Sequence, residues 1–235
     1  MIGHVVGVDG CKYGWIAAAL EPDGKQLTFT THADFAALLA SCAEAVSIAV
    51  DIPIGLTESF QSRRCDELAR RLVGPRSSSI FPAPDRRLLR FSEYAEASAY
   101  SREFSGKGLT RQSFAIFKKI SQADSAMSSK VQSRVFEVHP EVCFWAAAGQ
   151  VPLRYPKRNA AGFEERRAIL EAALAGVYIP RRPEAARLSR GVGPDDVLDA
   201  IVAAWTAWRH AQDLSKRVPE SPEIDARGLR MEMVY

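Results

Sequence analysis

Apolar and polar positions follow two different periods along the chain, and the switches between them mark its elements. The first run, Val5-Val6-Gly7-Val8-Asp9-Gly10, is apolar on both sides, as a strand in the middle of a sheet must be. Gly10 and Gly14 mark a turn. Trp15 to Leu20 and Gln26 to His32 then read as the arms of a hairpin around Glu21-Pro22-Asp23-Gly24-Lys25. In the second arm Leu27 and Phe29 alternate with Thr28 and Thr30, the period of a half-exposed strand. Phe35, Leu38, Leu39 and Cys42 change the period to i, i+3, i+4, i+7 and predict an amphipathic helix. Val46 to Ile52 is apolar strand again, stopped by Pro53 and Gly55. Three strands, a helix and a strand describe an antiparallel meander with a crossover into a buried strand.

From Leu56 to about Lys130 that rhythm breaks. Helical segments at Cys65 to Leu72, Glu93 to Phe104 and Gln112 to Met127 alternate with Gly74-Pro75-Arg76-Ser77-Ser78-Ser79 and Phe81-Pro82-Ala83-Pro84. They predict a mainly helical insertion or lid, residues 56–130, inside a single domain spanning 1–235. A strand returns at Arg134 to Val138, a basic loop covers Arg154 to Gly162, and Glu164 to Ala175 is helical. The last strong element opens at Gly193-Pro194-Asp195-Asp196 and runs to about Ala211, with proline and acids where a first helical turn favours them. Its Ala200, Ala203 and Ala204 allow a close approach to a sheet. The tail from Pro219 reads as loop followed by a short strand, Leu229 to Val234. The expected fold is α/β: a five-stranded mixed sheet, helices on both faces, and a helical insertion after the fourth strand.

Composition adds bounds. With 47% apolar and 25% charged residues this is an ordinary globular chain. No stretch approaches the roughly 20 apolar residues of a membrane span, and Asp9, Lys12 and the glycines interrupt any signal-type core, so no membrane partner and a cytoplasmic location are expected. Cys11, Cys42, Cys65 and Cys143 show no metal-ligand spacing and read as small buried hydrophobes in a reducing compartment. The net charge of +3 selects no partner, but residues 63–90 carry eight arginines against three acids. An arginine-rich face beside an acidic site suits a phosphate-bearing ligand; a solvated helix has the same pattern.

The candidate chemistry lies in where the acids fall. Asp9 and Asp51 each close an apolar strand, and Asp196 and Asp199, three apart, share a helix face with Cβ atoms about 5–6 Å apart. A carboxylate at the tip of a core strand is costly unless paired, hydrogen-bonded or bound to a metal. Each has a plainer reading: Asp9-Gly10 as a turn, Asp51 as a cap before Pro53, Glu137 as the partner of an arginine. His139 is placed to pass a proton or to bond the backbone. Arg76, Ser77 and Ser78 form a donor-rich loop for a phosphate; Lys157 and Arg158 offer the same from the opposite side, or a polar turn. Gln112 and Lys118 lie on the insertion within reach of a substrate.

These motifs occur in combination: Val8-Asp9-Gly10-Cys11 with Gly14-Trp15, Asp51-Ile52-Pro53-Ile54-Gly55-Leu56, Arg64-Cys65-Asp66 with Ala69-Arg70, and Arg76-Ser77-Ser78 with Phe81-Pro82-Ala83-Pro84. Gln112, Glu137-Val138-His139-Pro140-Glu141 and Asp196-Val197-Leu198-Asp199-Ala200 complete the set. The sequence resembles the ribonuclease H-like superfamily over nearly its whole length, most closely a family of predicted nucleases of that fold. Its last motif is similar to the acidic helix of Holliday-junction resolvases. The resemblance implies a nuclease dependent on Mg²⁺ or Mn²⁺, with Asp9 bridging two ions, Asp51, Asp196 and Asp199 completing the shell, and Glu137 a fifth ligand or a group behind it. Two ions about 3.5–4 Å apart stabilise charge on both the attacking and leaving oxygens of a phosphodiester. Two other expectations stand beside it. The weak overall charge favours a hydrolase or transferase on a small phosphorylated metabolite or nucleotide; the fold also serves non-catalytic binding modules.

Overall fold

The computed structural model describes residues 3–235. Its five-stranded sheet is built from β1 (Val5–Cys11), β2 (Gly14–Leu20), β3 (Leu27–His32), β4 (Ser47–Val50) and β5 (Val135–Glu137), in the order β3-β2-β1-β4-β5. The first three strands are antiparallel; β4 and β5 run parallel to β1. Helix α1 (Phe35–Ser41) makes the crossover from β3 to β4. Between β4 and β5 lie α2 (Arg64–Leu72), α3 (Tyr94–Ser105), α4 (Arg111–Ala115) and α5 (Phe117–Ala126). After β5 come α6 (Pro140–Ala147), α7 (Ala160–Ala173), α8 (Arg182–Ala185) and α9 (Pro194–His210), then a hairpin of β6 (Arg217–Ile224) and β7 (Arg230–Val234).

The alternation of side chains along each strand divides the core into two layers. Val6, Val8, Ile48 and Val50 face α1 and α5, packing on Phe35, Leu38, Ile120 and Ala123. Val5, Ala49 and Phe136 face the other way, onto α6, α7 and α9. Each fully buried side chain of this size contributes about 1.5–3 kcal/mol. The α/β sheet with helices on both faces is the architecture expected from the pattern. The segment 56–130 is more than a lid, because α5 forms half of one layer and α2 packs Cys65 and Ala69 against Met231 and Met233 of the hairpin.

Local differences have local causes. β1 continues to Cys11 and turns at Lys12–Tyr13, so Asp9 stands inside the ladder opposite Ile16 and not in a turn. The expected helix over 112–127 is interrupted at Ile116. α7 begins earlier than Glu164, because Asn159 caps it by accepting the Gly162 N–H at 2.6 Å. α6 and β6 were not expected at all.

Candidate active site

The pairing of β1 with β4 sets the first two acids side by side. Val8 lies opposite Val50, and the Asp51 N–H extends the ladder by donating to the Val8 carbonyl at 2.9 Å. Asp9 and Asp51, one step beyond that pair, therefore point to the same face, and their carboxyls are within hydrogen-bond reach of each other. That face is covered by α9, whose Asp199 is only 1% exposed. The Lys157 ammonium, from the loop before α7, donates to Asp199 Oδ2 at 2.6 Å and stands 3.8 Å from Asp195. Asp196 is half-buried beside them; its Oδ2 accepts the Gly193 N–H at 2.8 Å, which caps α9.

Crowding sets the protonation of the cluster. Burial first, then the charges of Asp51 and Asp199, hold the Asp9 carboxyl well above the ordinary carboxylate range. Burial, with Asp199, pushes Asp51 up to about 7 against the pull of Lys157 and the Asp9 hydrogen bond. Asp196 rises to about 6, again through burial, with the Gly193 N–H opposing and Asp195 and Asp199 adding to it. Asp199 foremost, then Asp9 and Asp51, keep Lys157 protonated well beyond the ordinary lysine range. Burial and mutual repulsion thus favour protonation of Asp9 and Asp51, while Asp199 has the Lys157 ammonium beside it.

These groups floor a cleft of about 500 Å³. It is lined by Arg76, Ser79 and Phe81, by Gln112 of α4, Lys119 of α5 and Ile116 between these helices, and by His139, Pro156 and Arg158. Of the expected phosphate loop, Arg76 lines the cleft, and Ser79, not Ser77 or Ser78, accompanies it. Gln112 reaches the cleft, whereas Lys118 faces a separate open groove. Lys157 is not a free wall residue opposite the acids but bonded to one of them. Asp196 sits outside the lining, next to Asp199. The His139 Nδ1 accepts the Glu141 N–H at 3.2 Å at the start of α6, and burial pulls its pKa below the ordinary histidine range. Because Nδ1 accepts that N–H, the ring's proton is assigned to Nε2.

Glu137 is paired with an arginine. Register places it opposite Val50 at the end of β5, and with Arg63 it lines the same cleft as Asp9 and Asp51. There both its oxygens accept from Arg63 at 2.7 Å, and Oε2 also takes the Ile54 N–H at 2.7 Å. Arg63 is itself buried and reaches Asp66 on its other side. Four of the eight arginines of that stretch are paired with acids within the protein: Arg63 with Asp66 and Glu137, Arg76 with Glu141, Arg86 with Glu58, Asp124 and Asp225, and Arg87 with Asp85.

A second network, absent from the sequence reading, carries the Lys157 loop. Buried Arg166 of α7 donates to the Tyr155 carbonyl at 3.1 Å and to Glu141 Oε2 at 2.7 Å; Arg76 holds the other Glu141 oxygen at 2.8 Å. The Arg154 and Tyr155 N–H groups donate to the Glu165 carboxylate at 2.8 and 3.0 Å. Lys119 and Arg158 are further cleft cations, Arg158 noted beforehand and Lys119 missed. The signal for the loop was present locally, in Asn159 three residues before Gly162, but not its destination.

The acids offer only hard carboxylate oxygens, the donors that suit Mg²⁺ or Mn²⁺, and the cluster already draws a cation to itself. Among the described residues no three side chains of His, Cys, Asp and Glu stand as a ready ion cage; Lys157 takes the Asp199 oxygen such a cage would use.

A mixed α/β sheet of this order, crossed by a long helix, is consistent with a ribonuclease H-like fold. The family model described as protein of unknown function (DUF429) matches residues 7–224, and the chain belongs to that family. Neither the curated proteins nor the solved structures gave a match.

Proposed function

We propose that the chain is a divalent-metal-dependent phosphodiesterase acting on nucleic acid, with Asp9, Asp51, Asp199 and Asp196 holding Mg²⁺ or Mn²⁺. The observation that carries this reading is the convergence of Asp9, Asp51 and Asp199 at one end of the sheet, in a cleft walled by Arg76, Lys119 and Arg158. An ion held there supplies charge stabilisation to a phosphodiester and activates water. The chain's own groups do the rest. Lys119 and Arg158 present cations to a phosphate, Gln112 an amide, and His139 a neutral imidazole ring able to donate a hydrogen bond. Four free, buried cysteines support a reducing, cytoplasmic setting.

The test is Mn²⁺-dependent cleavage of a panel of single- and double-stranded DNA and RNA, with Asp9→Asn and Asp51→Asn in parallel. Cleavage by the wild type that both variants lose supports the reading. No cleavage of any nucleic acid in Mn²⁺ overturns it. One observation favours a second reading, a small phosphorylated ligand: the cleft, about 500 Å³, is nucleotide-sized and no long basic stripe leads from it. Hydrolysis of nucleotides but not polymers would select that reading, and oligonucleotide binding without turnover a binding module.

A further inference from the structure

The carboxylate cluster is satisfied by a side chain of the same protein, and the protein is built to bring it there. Lys157 sits at the apex of a short loop fixed at both ends. On one side Glu165 receives the Arg154 and Tyr155 N–H groups and Arg166 holds the Tyr155 carbonyl. On the other, Asn159 caps α7, and Gly162 makes the tight return possible: a Cβ there would lie 2.0 Å from the Pro156 carbonyl oxygen. The apex then delivers an ammonium to Asp199 at 2.6 Å, a carboxylate that is almost fully buried and has no other hydrogen-bond donor among the described residues. The lysine side chain is 40% exposed, so the path by which its long, flexible stem can leave lies on the solvent side.

We propose that Lys157 is a tethered counter-ion of the carboxylate cluster, which a divalent cation must displace from Asp199 on entering. The inference rests on the metal-site reading above and specifies how that site is kept. The same oxygen cannot both accept a 2.6 Å hydrogen bond from an ammonium and sit within about 2.0–2.6 Å of a divalent ion on the same side, because the two cations repel and overlap. Removing the ammonium therefore removes a competitor, and apparent ion affinity rises. A lysine that instead helped hold the ion's surroundings in place would give the opposite result.

The experiment titrates Mn²⁺ into the full chain by calorimetry, comparing wild type, Lys157→Met and Lys157→Arg, with Asp51→Asn made in each to confirm the site. Lys157→Met is expected to bind Mn²⁺ at least about tenfold more tightly, a change worth about 1.4 kcal/mol, while Lys157→Arg, which keeps a cation, stays at or below wild-type affinity. A second readout needs no variant. Acylation of Lys157 by an amine-directed reagent, followed by peptide mass spectrometry, should rise as Mg²⁺ is added to the wild type, since the displaced side chain leaves its hydrogen bond to Asp199 and becomes accessible to the reagent. Mn²⁺ binding by the wild type with Lys157→Met equal or weaker, or Lys157 acylation unchanged or reduced by Mg²⁺, overturns the counter-ion role and leaves the metal site standing. No Mn²⁺ binding at this site in wild type or Lys157→Met overturns the metal-site reading, and the counter-ion proposal with it.

Discussion

Gly7 of β1 lies so close beneath α9 that a Cβ on it would stand 2.0 Å from the Ala204 nitrogen and 2.1 Å from the Ala200 carbonyl oxygen. The small residues on both elements let the helix settle onto the strand, and that contact carries Asp199 to the tip where Asp9 waits. Gly7→Ala should therefore act twice. We expect a loss of about 3 kcal/mol or more in urea unfolding, as overpacking of a core without slack demands, and weaker Mn²⁺ binding in whatever fraction folds.

Asp51 gives a pH signature to the metal-free protein. Its carboxyl is raised in the fold to about 7, mainly by burial, from roughly 3.9 in the unfolded chain. Its favourable contribution is complete below the unfolded value and is lost as pH rises through the folded one. Melting temperature in chelator should fall between about pH 4 and pH 7. Asp51→Asn should flatten this decline and melt higher at pH 8. An unchanged slope in the variant would contradict the crowded-acid description.

Glu137→Gln separates structural acids from functional ones. The substitution leaves buried Arg63 with less than its full countercharge, and breaking such a pair costs about 3–5 kcal/mol. Mn²⁺ affinity at the Asp9 cluster should stay within about twofold of wild type, because both Glu137 oxygens are taken by Arg63 and a factor of two is only about 0.4 kcal/mol. A large loss of ion affinity with normal stability would make Glu137 a ligand after all.

Asp225 behaves with the opposite sign. Burial pushes its carboxyl up, but the Leu229 N–H, the Arg86 guanidinium and the N–H groups of Leu56 and Arg227 outweigh it and leave the pKa below the ordinary range. The stability it supplies is present above the unfolded value and lost as pH falls through the folded one. Asp225→Asn should destabilise the protein by about 3 kcal/mol at neutral pH and lessen its sensitivity to acid, measured by melting temperature from pH 3 to pH 7.

How much of this was legible beforehand follows from which residues depend on period alone. The sheet order rests on runs such as Val5 to Val8 and Ile48 to Val50, where local pattern and final burial agree. Asp9 and Asp51 were legible because they end those runs. Glu137 ends one too, but its face depends on the register of β5 against β4, which no local pattern encodes. α6 gave no helical period because Val142, Cys143, Phe144 and Trp145 are all buried, so it has no polar side to read. β6 contains Pro219 and Pro222, which argue against strand; a two-stranded ribbon tolerates them at a register irregularity between Val218 and Glu223. Lys157 could be seen as a cation in a loop, but its attachment to Asp199, 42 residues away, is a property of the assembled fold.

Glu141 is gripped from two sides, by Arg76 at one oxygen and by Arg166 at the other, and Arg166 also holds the loop that bears Lys157. The segment bearing Arg76 and the loop bearing Lys157 and Arg158 are in effect two jaws joined by a crossbar. Neither can widen the gap without stretching a bond to the same carboxylate. The separation of the two walls is thereby tied to one carboxylate that itself lines the cleft, so a change at Glu141 reaches both walls at once.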